Sequence, residues 1–96
     1  MCIVLVGGHD RMHGEYKEVG NRYGCKMKVF TQMPSKLNKS IGDPDAIVLF
    51  TNTVSHKMAL TAAKEAKRKN IPLLRCHNSS KNSLEETLSQ LKIKVS

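Results

Sequence analysis

Apolar residues gather in short runs at Cys2–Val6, Cys25–Thr31, Ala46–Phe50 and Ile71–Leu74. The first and third are continuous, the pattern of strands buried on both faces, as in a parallel sheet. Cys25–Thr31 alternates only in part, through Met27 and Val29, as a strand nearer an edge does. Between the runs the period becomes helical. Met12, Tyr16, Val19 and Tyr23 recur at steps of four, three and four, with Asp10 expected as N-cap and Gly24 as terminator. Gly14 and Gly20 each weaken that helix by about 1 kcal/mol relative to alanine. From Pro34 to Ile41 only Leu37 and Ile41 suggest a short helix, and Asp43-Pro44-Asp45 forces a turn. Ala59, Ala62, Ala63 and Ala66 then form a small face able to lie close against a sheet. Lys57, Lys64, Lys67 and Arg68 point the other way, and Asn70 closes the helix. Ser83-Leu84-Glu85-Glu86 reads as a capping box opening a last helix, with Leu84, Leu88 and Leu91 as its buried stripe.

Strand and helix therefore alternate four times. Right-handed crossovers turn such an order into a three-layer α/β/α sandwich around a four-stranded, mostly parallel sheet. The expected strand order is 2-1-3-4, as in flavodoxin-like and Rossmann-like folds. Ninety-six residues form one domain, spanning 1–96, with one core.

Ligands of open α/β sheets bind beyond the carboxyl ends of the strands, where strand order reverses. Here that place receives Gly7-Gly8-His9-Asp10-Arg11 and the polar burst Thr51-Asn52-Thr53-Val54-Ser55-His56, while Cys76-His77-Asn78-Ser79-Ser80 joins the same rim. Candidate binding residues are Gly7, Gly8, His9, Thr51, Asn52, Ser55, His56, His77 and Ser79. With Ser55 as cap, His56 is a first-turn imidazole and the leading candidate for a metal or haem ligand, with His9 second. His13 is expected to face solvent. Thr51, Asn52 and Ser79 also suit turns that need no ligand. Met12, Met33 and Met58 are expected near the rim. Dinucleotide-loop, P-loop and nucleophile-elbow spacings do not occur, and no nucleophile, base and acid assemble from the sequence, so enzyme activity is not favoured.

Composition narrows the partners. Sixteen Lys plus Arg against eight Asp plus Glu give a net charge of +8, which favours anionic ligands. Three cysteines, far apart, argue against a disulfide framework and for a reducing, cytoplasmic setting. No apolar run approaches the roughly 20 residues of a membrane-spanning helix, and no membrane partner is expected. Cys76 is a candidate soft ligand or redox thiol, with packing as the alternative. Basic residues are spread out and not interleaved with aromatics, so nucleic-acid binding stands as the weakest of the alternatives, open but not favoured.

The pairing of "CIVLVGG" with "PDAIVLFTNTVSHKMALTAAKEAKRKNIPLLR" resembles the bacterial domain-of-unknown-function family DUF2325 over nearly the whole chain. The most specific element is Thr51-Asn52-Thr53-Val54-Ser55-His56 before an alanine- and lysine-bearing helix and an Ile-Pro strand. Members usually carry Asp where this chain has Asn52, and many have a histidine-rich stretch where it reads "VFTQMPSK". The resemblance implies a cofactor-binding module, with haem as the associated cofactor. The leading expectation is thus a haem- or metal-binding protein, a gas or redox sensor or carrier, with His56 as ligand and His9 or His77 as second ligand. Arg11, Arg75 or nearby lysines would meet the propionates. The alternative is a non-catalytic regulatory or scaffold domain that binds a small anion or a protein at the same rim. Homo-oligomerisation is expected, because a small sheet with two edges gains by burying one.

Overall fold

The computed structural model describes residues 1–32 and 35–95. Met33 and Pro34, and with them the expected helix start at Pro34 and a rim position for Met33, lie outside the described residues. The elements are β1 (Cys2–Val6), a 3-10 turn (Asp10–Met12), α1 (His13–Arg22), β2 (Lys26–Phe30), α2 (Leu37–Ser40), β3 (Ala46–Phe50), α3 (His56–Lys69), β4 (Leu73–Cys76) and α4 (Lys81–Val95).

All pairings are parallel and the order is β2-β1-β3-β4, as the alternation predicts. β1 and β3 are central, which is why their sequences are apolar without a break. Ile3 and Leu5 from β1, with Val48 and Phe50 from β3, pack beneath Tyr16 and Val19 of α1 and Leu84, Leu88 and Leu91 of α4. Val4, Val6, Ile47 and Leu49 point the other way, into Leu37, Ile41, Met58, Ala62 and Ala66. Each central strand thus feeds two cores, one per layer of helices. β2 alternates buried and exposed residues, consistent with its edge position.

Four local readings need correction. Asp10 does not cap a helix: its carboxylate takes hydrogen bonds from the Thr31 hydroxyl and the Gln32 amide, tying the exits of β1 and β2 together. β4 begins two residues later than Ile71, because the Ile71 amide closes α3 on Ala66 O (2.8 Å) and Pro72 has no N–H for the ladder. Met58 lies in the α3-side core, away from the rim. The capping box at Ser83 is not used. Ser80 Oγ accepts from Ser83 N (3.1 Å), so α4 starts at Lys81 and Glu85 reaches across to an ion pair with Arg22 of α1.

Two expectations about α3 hold in detail. Ser55 Oγ caps it by accepting from Met58 N (3.2 Å), and Asn70 ends it in the left-handed conformation. Glu65, only 5% exposed, is turned inward and held by Arg68 at 2.7 Å. That hydrogen bond keeps its carboxyl below the ordinary glutamate range despite burial. No helix among the described residues is long and apolar enough to cross a membrane.

Candidate functional site

The C-terminal rim of the sheet is stitched together by its own polar residues. Gly7 and Gly8 leave β1 with φ of +102° and +92°, which side chains rarely adopt. A Cβ on Gly8 would stand 2.7 Å from the Tyr16 ring. This close passage brings Gly8 N within 2.8 Å of Thr53 Oγ1. Thr53 Oγ1 lies 2.6 Å from Ser79 Oγ, and Ser79 Oγ donates to Asn52 Oδ1 at 2.7 Å. The loops after β1, β3 and β4 are thereby joined in a single relay.

The direction of that relay follows from its last bond. Ser79 has one hydroxyl proton and donates it to Asn52 Oδ1, so Thr53 Oγ1, which accepts from Gly8 N–H, is the donor to Ser79 Oγ. Ser79 in turn donates to the Asn52 carbonyl oxygen. The Asn52 oxygen is engaged inside the wall, which leaves its NH2 group for a ligand. Asn78 repeats the arrangement: its Oδ1 accepts from Ser80 N at 3.1 Å, and its NH2 group remains.

Tyr16 is the post under the rim. Its fully buried hydroxyl donates to Ser79 O at 2.8 Å and accepts from His9 N at 3.3 Å. Burial pushes its pKa up, so it stays a donor. Its ring leans on Phe50 at 5.3 Å between centroids.

Above this post lies a cleft of about 280 Å³ lined by His9, Arg11, Met12, Asn52, Asn78, Ser79, Ser80 and Lys81. Arg11 and Lys81 bring two cations, and Lys81 is also the first residue of α4, whose macrodipole is positive at that end. Met12 is the single apolar side chain in the lining.

Of the residues expected at the site, His9, Asn52 and Ser79 line the cleft. Gly7 and Gly8 shape its wall. Ser55 serves as a helix cap. Thr51 is exposed and continues the β3–β4 ladder through Thr51 N to Cys76 O (3.0 Å). His56 and His77 are exposed and stand outside the lining. His13 is half-buried, with its Nε2 3.3 Å from Val29 O. Among the described residues, no three His, Cys, Asp or Glu side chains come together as a metal site. Cys76 is buried, with its thiol donating to Asn78 O.

Sequence reasoning passed over Asn78, Ser80 and Lys81, which line the cleft. The available signal was the run Asn78-Ser79-Ser80-Lys81, a polar cap followed by a cation. Placing the helix start at Ser83 obscured it.

Comparison with known proteins gives two findings. A family model described as "Uncharacterized protein conserved in bacteria (DUF2325)" matches residues 2–91. A de novo designed Rossmann fold protein superposes with a TM-score of 0.63, at 17% identity, covering 94% of this chain and 96% of that one. At that identity the likeness concerns the fold alone. A search of curated proteins returns no match.

Proposed function

Because the chain belongs to the bacterial family DUF2325, whose description assigns it no activity, we propose a function from the rim itself: a non-catalytic module that binds a small anion. The ligand would be a carboxylate- or phosphate-bearing molecule seated between Arg11 and Lys81. One observation carries this reading. The amide oxygens of Asn52 and Asn78 are each held by an internal hydrogen bond, so the polar groups these residues have free to offer the cleft are their NH2 donors. A donor-lined cleft with two cations selects acceptors. Catalysis is not supported, because the hydroxyls of Thr53 and Ser79 bond to each other and to an amide. Neither is bonded to an imidazole or carboxylate that would take a proton.

Haem, the sequence expectation, fits this cleft poorly. About 280 Å³ with one apolar side chain in the lining offers no wall for a macrocycle. A haem held by His56 would need a second copy of the chain to cover it. Hemin titration decides that reading: a Soret band lost in His56→Ala would install it, and hemin that stays unbound would remove it.

The anion reading is tested by thermal unfolding in inorganic phosphate. A ligand at about 100 times its Kd stabilises the folded state by roughly 2.7 kcal/mol. The gain should vanish in Arg11→Ala/Lys81→Ala. Equal stabilisation of wild type and double variant would contradict a cleft-bound anion.

A further inference from the structure

The fold sorts charges that the sequence scatters. On α3, Lys57, Lys64, Lys67 and Arg68 are all exposed, while the helix's one acid, Glu65, is turned inward. At 100° per residue these four fall within one arc of the helix surface, extending about 16 Å along it at 1.5 Å per residue. α2 packs beside α3 and adds exposed Lys36 at its N-cap and Lys39. The opposite layer is mixed: α1 carries Glu15 and Glu18 with Lys17 and Arg22, and α4 carries Glu85 and Glu86 with Lys81, Lys92 and Lys94. Among the described residues, no carboxylate pairs with Lys57, Lys64 or Lys67; Glu65 pairs with Arg68 at 2.7 Å and with Lys69 at 3.9 Å.

Helix stabilisation does not account for this stripe. Cations in a last turn complement the macrodipole, which covers Lys67 and Arg68. Lys57 stands in the first turn, where a cation opposes the dipole, and Lys64 stands mid-helix.

We propose that the α3 face, with α2 beside it, binds the phosphodiester backbone of double-stranded nucleic acid without reading its sequence. This is independent of the rim cleft. The chemistry favours that polyanion over an acidic protein. Protein–protein interface cores are depleted in lysine and enriched in aromatics, whereas this face carries lysines and a single exposed large hydrophobe, Leu60 at 59%. Interfaces with nucleic acid are the strongly positive class. The aromatic residues Tyr16, Tyr23, Phe30 and Phe50 all lie off α3, so the face has no stacking platform for single strands. A linear row of point charges fits a regular row of phosphates.

The test is fluorescence anisotropy with one arbitrary duplex made as DNA and as RNA, titrated at several salt concentrations. Binding of either duplex, weakening linearly in log salt, is expected; the two arms show which nucleic acid is preferred. Lys57→Gln/Lys64→Gln/Lys67→Gln should lower affinity at least tenfold and flatten the salt slope by roughly 0.9 per lysine removed. Lys17→Gln on α1 should leave both unchanged. Failure of both duplexes to bind at about 50 mM salt, the low-salt end of the range where phosphate contacts are strongest, overturns the proposal. So does a triple variant that is folded by circular dichroism and binds as wild type. A loss in Leu60→Ala as large as in the triple variant also overturns it, since that marks a protein-docking face.

Discussion

At the residue scale, Tyr16 and Gly8 decide whether the rim holds its shape. Tyr16→Phe removes the partner of both Ser79 O and His9 N. Leaving buried polar groups unsatisfied costs about 1–3 kcal/mol. Urea unfolding should show a loss of that size, together with weakened phosphate binding in a variant that remains folded. Acid titration tests two carboxylates. Hydrogen bonds from Thr31 and Gln32 hold Asp10 below its usual range, and Arg68 does the same for Glu65. Both folded-state pKa values are depressed, so their contribution to stability is complete above the unfolded carboxylate range. It is lost as pH falls through the folded values. Equilibrium unfolding followed from neutral to acid pH should therefore show stability falling in that low window, with a shallower fall in Glu65→Gln.

At the element scale, α1 approaches β2 closely because Gly20 lacks a side chain. A Cβ there would lie 2.0 Å from Met27 Cγ, whereas a Cβ on Gly14 meets nothing within 4 Å. Gly20→Ala should destabilise by about 1–3 kcal/mol through overpacking. Gly14→Ala should stabilise by about 0.4–1 kcal/mol by restricting the unfolded chain. Chemical denaturation of the two variants should move their midpoints in opposite directions. Both glycines look alike in the sequence, as helix-weakening residues, because their difference depends on a strand that lies elsewhere in the chain. The same distinction separates the elements that were legible from those that were not. Unbroken apolar runs and the cap at Ser55 are local signals, and they place β1, β3 and α3 correctly. The start of α4 offered two serines with capping ability, Ser80 and Ser83. The choice fell to Ser80, and Glu85 of the unused box pairs with Arg22 of α1, a contact between elements. β4 was shifted by the amide economy of Ile71 and Pro72, which a hydropathy pattern does not record.

At the scale of the whole molecule, the alternation of elements implied the β2-β1-β3-β4 sheet, and the sheet implied where its rim would open. The rim segments were legible from topology. The roles of their residues were not. Thr51, Asn52, Thr53 and Ser55 read as a ligand-facing burst, yet they divide into a ladder end, a cleft donor, a relay hydroxyl and a helix cap. Histidine was the conspicuous residue type in the sequence, and only His9 reaches the cleft. Charge behaved in the opposite way: evenly scattered along the chain, it is concentrated on one layer by the fold.

The central claim is that the cleft presents amide donors and two cations to an anion. Nitrogen-15 NMR with inorganic phosphate tests it most directly. The side-chain NH2 signals of Asn52 and Asn78 should shift in a saturable way, together with the backbone amides of Ser80 and Lys81. Shifts confined to the lysines of α3, or none at these four residues, would contradict it.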